Sequence, residues 1–359
     1  MSYWKPPSYW SKVSPQQPAS YIIYIDDLGY ICAKNGETGK IDYRDTDAAT
    51  VINNAVAQLE LGGKVVLKRD LYLITDTITI ENHGIEFCME TMWRGTKEST
   101  ETMKVGLKLA DNVNKNVLLI EGRKCHVHDL YIDVNKDNNT AAVSGIYAAS
   151  DGALDLHLSH VYIFNSVYYG IVWLGGAGYA EGVYVEYSNR GWYIGGTRNV
   201  FVQCGAYATQ EEYPSFILDL NAHQNALLGC VAANGLQGFV INGNRNRIIG
   251  CVAQEINQFG LKLAGAKNNV IMGNTFYNVG KTGTDDAIIL LSRDSTHSTH
   301  NIIMGNRIYS DASVKPRYGI NEEDANQDYN VIVGNIITDY GTGAINSLGT
   351  NDVVANNIT

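Results

Sequence analysis

The chain has 359 residues, of which 45% are hydrophobic and only 18% are charged, and its formal net charge is −10. This composition supplies enough apolar surface for a large core and excludes a disordered chain. The acidic balance, without a basic patch among aromatic residues, also argues against nucleic acid as a partner.

The first segment of the chain predicts an arm followed by a hairpin. Residues 1–20 carry four aromatic side chains among prolines, which indicates an arm that is either a loose tail or docked on a neighbouring subunit. The next region, 21–63, begins with two apolar runs separated by Asp27-Leu-Gly29, a sequence typical of a hairpin turn.

The same region ends in a helix. The stretch DTDAATVINNAVAQLELGG places its apolar residues on one face of a helix over Asp47–Leu59. Asp45 or Thr46 is the expected N-cap, because short polar side chains accept hydrogen bonds from the first free backbone N–H groups. The pair Gly62-Gly63 is the expected end.

Residues 64–359 form the third predicted region, which from about residue 120 onward repeats a six-residue motif with asparagine at both ends in its clearest copies. It reads NVIMGN from Asn269, NIIMGN from Asn301 and NVIVGN from Asn330. Looser copies begin at Lys124, Asp155, Ala177, Asn199, Asn225, Asn246 and Asn351. Successive copies start 21 to 32 residues apart, which indicates a repeat architecture with local insertions.

Each repeat contains short runs rich in Val, Ile and Tyr and no segment long enough for an amphipathic helix. About 22 residues at ~3.3 Å per residue fit one coil of three short strands, and coils ~4.8 Å apart pair each strand with its copies. The charge-free stretch 158–180 is broken by glycine, so it predicts buried strands and no membrane span. The sequence therefore predicts a parallel β-helix of about ten coils.

Stacked coils place equivalent residues above one another. The last motif position predicts an amide ladder of Asn274, Asn306, Asn335 and Asn356. Earlier copies have cysteine in that column, at Cys204, Cys230 and Cys251. We expect these to be small buried thiols rather than disulfides.

The asparagine-ended repeats, the helix before Gly62-Gly63 and the strands after it resemble the right-handed parallel β-helix superfamily of pectate lyases, polysaccharide-degrading phage tailspikes and related proteins. The resemblance implies an all-β, single-stranded right-handed β-helix whose N-terminal helix covers the apolar end of the coil. It also implies that activity lies on the outer face or beside insertions. The insertions here are Asn135–Ala142, Thr209–Pro214, Val279–Asp286, Arg293–His300 and Asp311–Arg317.

The early coils carry the candidate site. If their aliphatic residues point inward, alternation directs tyrosines, histidines and acids outward, where sugars stack on rings and polar groups read hydroxyls. The substrate-binding candidates are His126, Tyr131 and Tyr179, and the catalytic candidates are Asp133, His157, Tyr162, Tyr184, Glu186 and Arg190. In the late coils, the same alignment of the motif places the alternate positions inward. An alternative is therefore that the tyrosines of the early coils point inward and form buried core.

The chemistry of this face has several interpretations. A lyase would use His157 as base and Tyr162 or Tyr184 as acid. A calcium-dependent site of pectate-lyase type would need clustered acids and a neighbouring basic residue. The candidate acids are Asp129, Asp133, Asp137 and Asp151, and the one candidate base is Arg190. Calcium binding therefore has no clear motif in the sequence. A hydrolase would need paired acids on adjacent coils, and the adjacent Asp285-Asp286 does not supply the family pattern.

Together these features predict an extracellular or virion-surface protein, with a cytoplasmic location left open, that binds an acidic polysaccharide. Cleavage, by lyase or hydrolase chemistry, is left undecided. The alternative is a non-catalytic fibre component that assembles through its N-terminal arm and the C-terminal end of the coil. Either interpretation predicts a homo-oligomer or larger assembly.

Overall fold

The structure is a computed structural model that describes residues 19–90, 105–150, 152–207 and 213–359. Most of the predicted arm, 1–18, lies outside the described residues. The first three strands are β1 (Tyr21–Ile25), β2 (Ile31–Asn35) and β3 (Ile41–Asp45). They pair antiparallel in that order, and β1 also pairs parallel with the first strand of the main body.

A single short helix, α1 (Ala48–Ala57), follows within the described residues. Its N-cap is Asp47, whose carboxylate accepts hydrogen bonds from the Ala49 and Thr50 N–H groups. The expected N-caps Asp45 and Thr46 are therefore wrong, because the Asp45 carboxylate instead accepts from the N–H groups of the two residues that follow it. No helix in the described ranges is long and apolar enough to cross a membrane.

The main body is a parallel coil of eleven turns, each ending in a strand of one eleven-stranded sheet. Turns 1 to 3 contain β4 (Gly63–Leu67), β5 (Leu71–Ile74), β6 (Ile78–Ile80), β7 (Ile85–Met89), β8 (Gly106–Leu109), β9 (Leu118–Ile120), β10 (His126–Asp133) and β11 (Ile146–Ala148). Turns 4 to 6 contain β12 (His157–Phe164), β13 (Tyr169–Trp173), β14 (Tyr179–Glu181), β15 (Tyr184–Glu186), β16 (Arg190–Ile194), β17 (Val200–Val202), β18 (Gly205–Tyr207) and β19 (Pro214–Leu218). Turns 7 to 9 contain β20 (Ala226–Leu228), β21 (Val231–Ala233), β22 (Gln237–Ile241), β23 (Arg247–Ile249), β24 (Val252–Gln254), β25 (Leu261–Ala264), β26 (Val270–Met272), β27 (Thr275–Tyr277) and β28 (Ile288–Leu291). Turns 10 and 11 and the strand after them contain β29 (Ile302–Met304), β30 (Arg307–Tyr309), β31 (Tyr318–Glu322), β32 (Val331–Val333), β33 (Ile336–Ile337), β34 (Gly343–Asn346) and β35 (Val353–Ala355).

The strands of each turn divide between two sheets. The first and second strands join β1, β2 and β3 in a 24-stranded sheet, here called sheet A, and the third strands form the eleven-stranded sheet B. In β10 and β12 the first and second strands are continuous and bend at one left-handed residue, Asp129 (φ 53°) or His160 (φ 51°). The predicted parallel β-helix with an N-terminal helix is confirmed, with about one turn more than expected.

The core is a set of stacked inward columns. Val127, Leu158, Ala180 and Phe201 occupy one column and are fully buried. In sheet B the Trp192, Phe216 and Phe239 rings stack with centroids 5.8 and 5.2 Å apart. Such columns bury apolar area along the whole axis, which drives formation of the coil.

The strand pairing corrects the alignment of the early motif copies with the late ones. Tyr179 pairs with Val200 and Tyr184 with Gly205, so the early copies were aligned one residue too early relative to the late ones. After this shift of one residue, the same alternate motif positions face inward in every turn. Val185 faces inward above Ala206, and the early tyrosines face outward. The alternative that the tyrosines are buried core is therefore wrong.

The asparagine ladder is confirmed, with one member corrected. The Asn306 amide oxygen accepts from the Asn274 backbone N–H, and the Asn335 amide oxygen accepts from that of Asn306, both at 2.9 Å. The next member is Asn357 rather than Asn356, because the final copy begins at Asp352 and not at Asn351. The expectation of free thiols is also confirmed, since all six cysteines are free and buried.

Candidate functional site

The predicted site residues divide between the two sheets. Those from His126 to Glu186 lie on β10, β12, β14 and β15 of sheet A, in turns 3 to 5. Arg190 lies on β16 of sheet B. The structure therefore brings the histidines, tyrosines and acids onto one surface, here called the early face, and does not bring Arg190 to it.

The histidine column of the early face is tightly packed. The rings of His126 and His157 stack with centroids 4.2 Å apart, and Tyr179 meets His157 edge-on at 5.1 Å. Burial lowers the pKa of His126 to about 4, and burial also lowers the pKa of His157. Both rings are therefore neutral at neutral pH. However, Nε2 of His157 is shielded from solvent and has no hydrogen-bond partner among the described residues, so this atom is not presented to a substrate.

The tyrosine column runs beside the histidines, beyond the bend of each strand. Tyr131 and Tyr162 are parallel, with centroids 5.7 Å apart, and Tyr184 follows at 5.5 Å. The Tyr162 hydroxyl donates to Glu186 at 2.8 Å. Because stacked rings cover one another's faces, this column presents ring edges and hydroxyls rather than open faces for a sugar.

The contacts of Asp133 stabilise the fold. It is buried, and its carboxylate accepts from the Asn135 N–H at 2.8 Å and the Asn165 side chain at 3.2 Å. Burial raises the pKa of this carboxyl. These bonds fix the strand end at the start of an insertion, and they leave Asp133 poorly placed to reach a substrate.

Arg190 instead borders a concave site that the sequence did not indicate. The cavity holds about 330 Å³ and is here called the aromatic groove. Its lining residues are Asn116, Ala142, Ser144, Tyr147, Tyr168, Tyr169, Val172, Leu174 and Tyr193. Register places Tyr147, Val172 and Tyr193 in one outward column of sheet B, and pairs Tyr169 with Arg190.

The rings of the aromatic groove meet at steep angles. Tyr168 and Tyr169 are edge-to-face with centroids 4.6 Å apart, and Tyr169 and Tyr193 are tilted by 55° at 5.3 Å. The Tyr193 hydroxyl donates to Asp219 at 2.5 Å. Burial and this carboxylate raise the pKa of Tyr193, and burial raises the pKa of Tyr169. The phenols are therefore protonated donors at neutral pH.

Among the described residues, tyrosine side chains hold Arg190. Its guanidinium lies 3.7 Å from the centroid of the Tyr213 ring and 4.5 Å from that of Tyr168. It also lies 3.5 Å from the Tyr169 hydroxyl. Among the described residues no carboxylate forms a salt bridge with it. A positive charge fixed by cation–π contacts at the groove margin is available to an anion.

A second basic feature lies where sheet B leads back to sheet A. An open cavity of about 520 Å³ is lined there by Arg198, Arg245 and Lys267, with His223 between them and no acidic residue. We call it the basic corner. No described residue forms a salt bridge with any of the three cations.

The described insertions lie mostly at one corner. Asn135–Ala142, Val279–Asp286 and Asp311–Arg317 connect second strands to third strands, whereas Arg293–His300 lies at the opposite corner. Asp286, within the second of these, is buried and bound by Arg317 and Asn321, which indicates a structural role. Residues 209–212 and Asp151 lie outside the described residues.

Among the described residues, the acids proposed for calcium, Asp129, Asp133 and Asp137, do not form a cluster of three ligands. In the described part of the chain, one group brings three ligand atoms of His, Cys, Asp or Glu within 4.8 Å of one another, and it consists of Glu86, Cys88 and His128. Asp129 and Asp133 are occupied by His128 and Asn135.

Comparison with known proteins agrees with this architecture. A family model described as a right handed beta helix region matches residues 181–358. The A-module of mannuronan C-5 epimerase AlgE6 of Azotobacter vinelandii is similar, with a TM-score of 0.69, 16% identity, and 87% of this chain and 95% of that chain covered. No curated protein matches the sequence.

Two phage tailspikes are also similar. The tailspike of E. coli bacteriophage HK620, in complex with a pentasaccharide, has a TM-score of 0.65, 12% identity, and 87% and 61% of the two chains covered. The enzymatically active domain of bacteriophage CBA120 tailspike protein 2 has a TM-score of 0.61, 13% identity, and 80% and 45% covered. The chain thus spans less than two thirds of either tailspike chain, and at such identities the likeness shows the fold alone.

Proposed function

We propose that this chain, a right-handed parallel β-helix, binds an acidic polysaccharide in its aromatic groove. The observation that carries the proposal is Arg190, a cation held by tyrosine rings and without a carboxylate partner among the described residues, at the margin of a tyrosine-lined cavity.

The groove suits a sugar chain for a physical reason. Pyranose rings bring apolar C–H faces and hydroxyls together, and tyrosine offers an apolar ring and a hydroxyl donor. Tyr168, Tyr169 and Tyr193 line a concave surface at steep angles to one another, whereas Tyr131 and Tyr162 of the early face stack face to face. The groove therefore supports sugar stacking better than the face that the sequence predicts.

The charge of the ligand follows from the cations around sheet B. Arg190 and the three cations of the basic corner form no salt bridges with described residues, in a chain with a net charge of −10. Unpaired guanidinium groups bind carboxylates through charge-assisted hydrogen bonds. A polysaccharide with uronate units fits both features.

The similar proteins support the ligand class. One is named a mannuronan epimerase, and one tailspike is described with a bound pentasaccharide. Cleavage by lyase or hydrolase chemistry at His157, Tyr162, Tyr184 and Glu186 stays a prediction, as do the extracellular or virion location, the oligomer and the fibre alternative.

Binding is tested by titrating the purified protein with polygalacturonate, alginate and neutral dextran in a calorimeter. We expect the two polyuronates to bind and dextran not to bind. Arg190→Gln should weaken polyuronate binding about 10- to 150-fold, because a hydrogen bond to a charged group contributes about 1.5–3 kcal/mol. Arg69→Gln is the matched control, since it removes the same charge from an exposed loop residue.

Two results would contradict the proposal. Equal weakening by both substitutions would indicate general electrostatics, and equal binding of dextran would remove the role of charge. The same incubations, followed for unsaturated ultraviolet-absorbing ends and new reducing ends, test cleavage. Concentration-dependent light scattering without any glycan binding would favour the fibre component.

A further inference from the structure

We infer that Glu86, Cys88 and His128 form a binding site for a thiophilic divalent cation of the Zn²⁺ type on the outer surface of sheet A. Their ligand atoms lie within 4.8 Å of one another. A carboxylate, a thiolate and an imidazole are a ligand set that zinc accepts in tetrahedral sites with one open position. This inference does not depend on the proposed function, because the site lies on a different sheet from the aromatic groove.

The β-strands build the site by alternation. Glu86 and Cys88 are two residues apart on β7 and point to the same side. On the neighbouring strand β10, His126 pairs with Glu86 and His128 pairs with Cys88. Two such pairs on adjacent strands place four potential ligands at the corners of a small square, three of them within mutual reach.

The distances require only small adjustments. Two ligands of a tetrahedral zinc ion with bonds of about 2.0–2.3 Å lie roughly 3.3–3.8 Å apart. His128 Nε2 is already 3.1 Å from Glu86 Oε1, and no pair of ligand atoms exceeds 4.8 Å. Side-chain rotation without backbone movement can close this gap, because Glu86 is a flexible, part-exposed side chain.

The orientation of His128 is the second observation. Its Nδ1 lies 2.7 Å from the carboxylate of Asp129, an arrangement that directs the Nε2 lone pair toward a metal in many zinc sites. On the other side of the ring, Nε2 lies 3.1 Å from the Glu86 carboxylate. A metal ion between these two atoms would therefore take one ligand from each strand.

Lys64 forms a salt bridge with one of the proposed ligands, Glu86. Its ammonium lies 2.7 Å from the same Glu86 oxygen, and its side chain is one-third exposed. A bound dication would repel this ammonium into solvent. Neutralising Lys64 should therefore strengthen metal binding, whereas it would weaken a purely structural ion-pair cluster.

The test uses the full chain, stripped with a chelator and titrated with Zn²⁺ against a chromogenic chelator. Co²⁺ is added separately as a spectroscopic probe. We expect stoichiometric binding and a thiolate-to-cobalt charge-transfer band, both lost in Cys88→Ser and retained in the control Cys32→Ser. Asp129→Asn should weaken binding about 10- to 100-fold, and Lys64→Gln should strengthen it.

Absence of the cobalt–thiolate band in the wild-type chain would overturn the inference and leave His128 as a hydrogen-bonding partner of Asp129 and Glu86. Retention of the band in Cys88→Ser would overturn it as well. If Cys88→Ser fails to fold, the surface substitution Lys64→Gln decides: tighter binding supports the site, and unchanged or weaker binding refutes it.

Discussion

Replacing Asn306 by alanine should destabilise the coil strongly, because this buried side chain serves both neighbouring turns. Its amide oxygen accepts from the backbone N–H and the side-chain NH2 of Asn274, both at 2.9 Å. Its own NH2 donates to Ile271 O and to the Asn335 amide oxygen. Alanine leaves two buried donors on Asn274 without an acceptor. At about 1–3 kcal/mol for each orphaned group, the loss is about 4 kcal/mol.

The size of the effect should depend on position along the ladder. Asn357 makes equivalent contacts with Asn335, yet it is half-buried, so Asn357→Ala should cost about 1–2 kcal/mol. Asn54 is exposed on α1, and Asn54→Ala should leave stability nearly unchanged. Free energies of unfolding from urea titrations measure all three. Equal losses for Asn306→Ala and Asn54→Ala would show that the ladder contributes no stability and refute this reasoning.

Three other outcomes follow from buried groups. Burial, with Asp352 nearby, raises the pKa of Glu322 to about 7 from 4.5, so the folded state holds this proton more tightly than the unfolded chain. Stability should therefore fall by about 3 kcal/mol as pH rises from 4.5 to 7, and urea titrations of Glu322→Gln should show this slope flattened; an unchanged slope would contradict it. Gly191→Ala would place a Cβ 2.0 Å from Ser215 O. This clash should lower the free energy of unfolding by about 3 kcal/mol and lower the melting temperature with it. An unchanged melting temperature would show that the two turns can move apart to accommodate the methyl group. Apart from Cys88, the free, buried thiols should react with a thiol reagent only after denaturation, and rapid labelling of these thiols in the native protein would contradict their burial.

The sequence predicted the fold correctly where an asparagine marks the repeat, and it lost the register where none does. From Asn199 to Asn330 the first motif position is an asparagine whose side chain bonds to a neighbouring turn, as the Asn199 NH2 does to the Asn225 amide oxygen. In the earlier turns that position is held by Cys125, Leu156 and Gly178. None of these has an amide side chain, so nothing in the sequence distinguished the true start from the residue before it.

The same limitation explains why the aromatic groove was not predicted. The asparagine motif covers only the first strand of each turn and the bend before the second strand, whereas the groove belongs to the third strands. Connections into those strands range from the short one before Tyr169 to the insertion 135–142, so spacing from the motif does not determine their register. Tyr147 and Tyr193 share a column only because β11, β13 and β16 pair in register. Their juxtaposition is therefore a property of stacking across turns, and only the coordinates of sheet B could show that Arg190 meets tyrosines rather than the histidines of the early face.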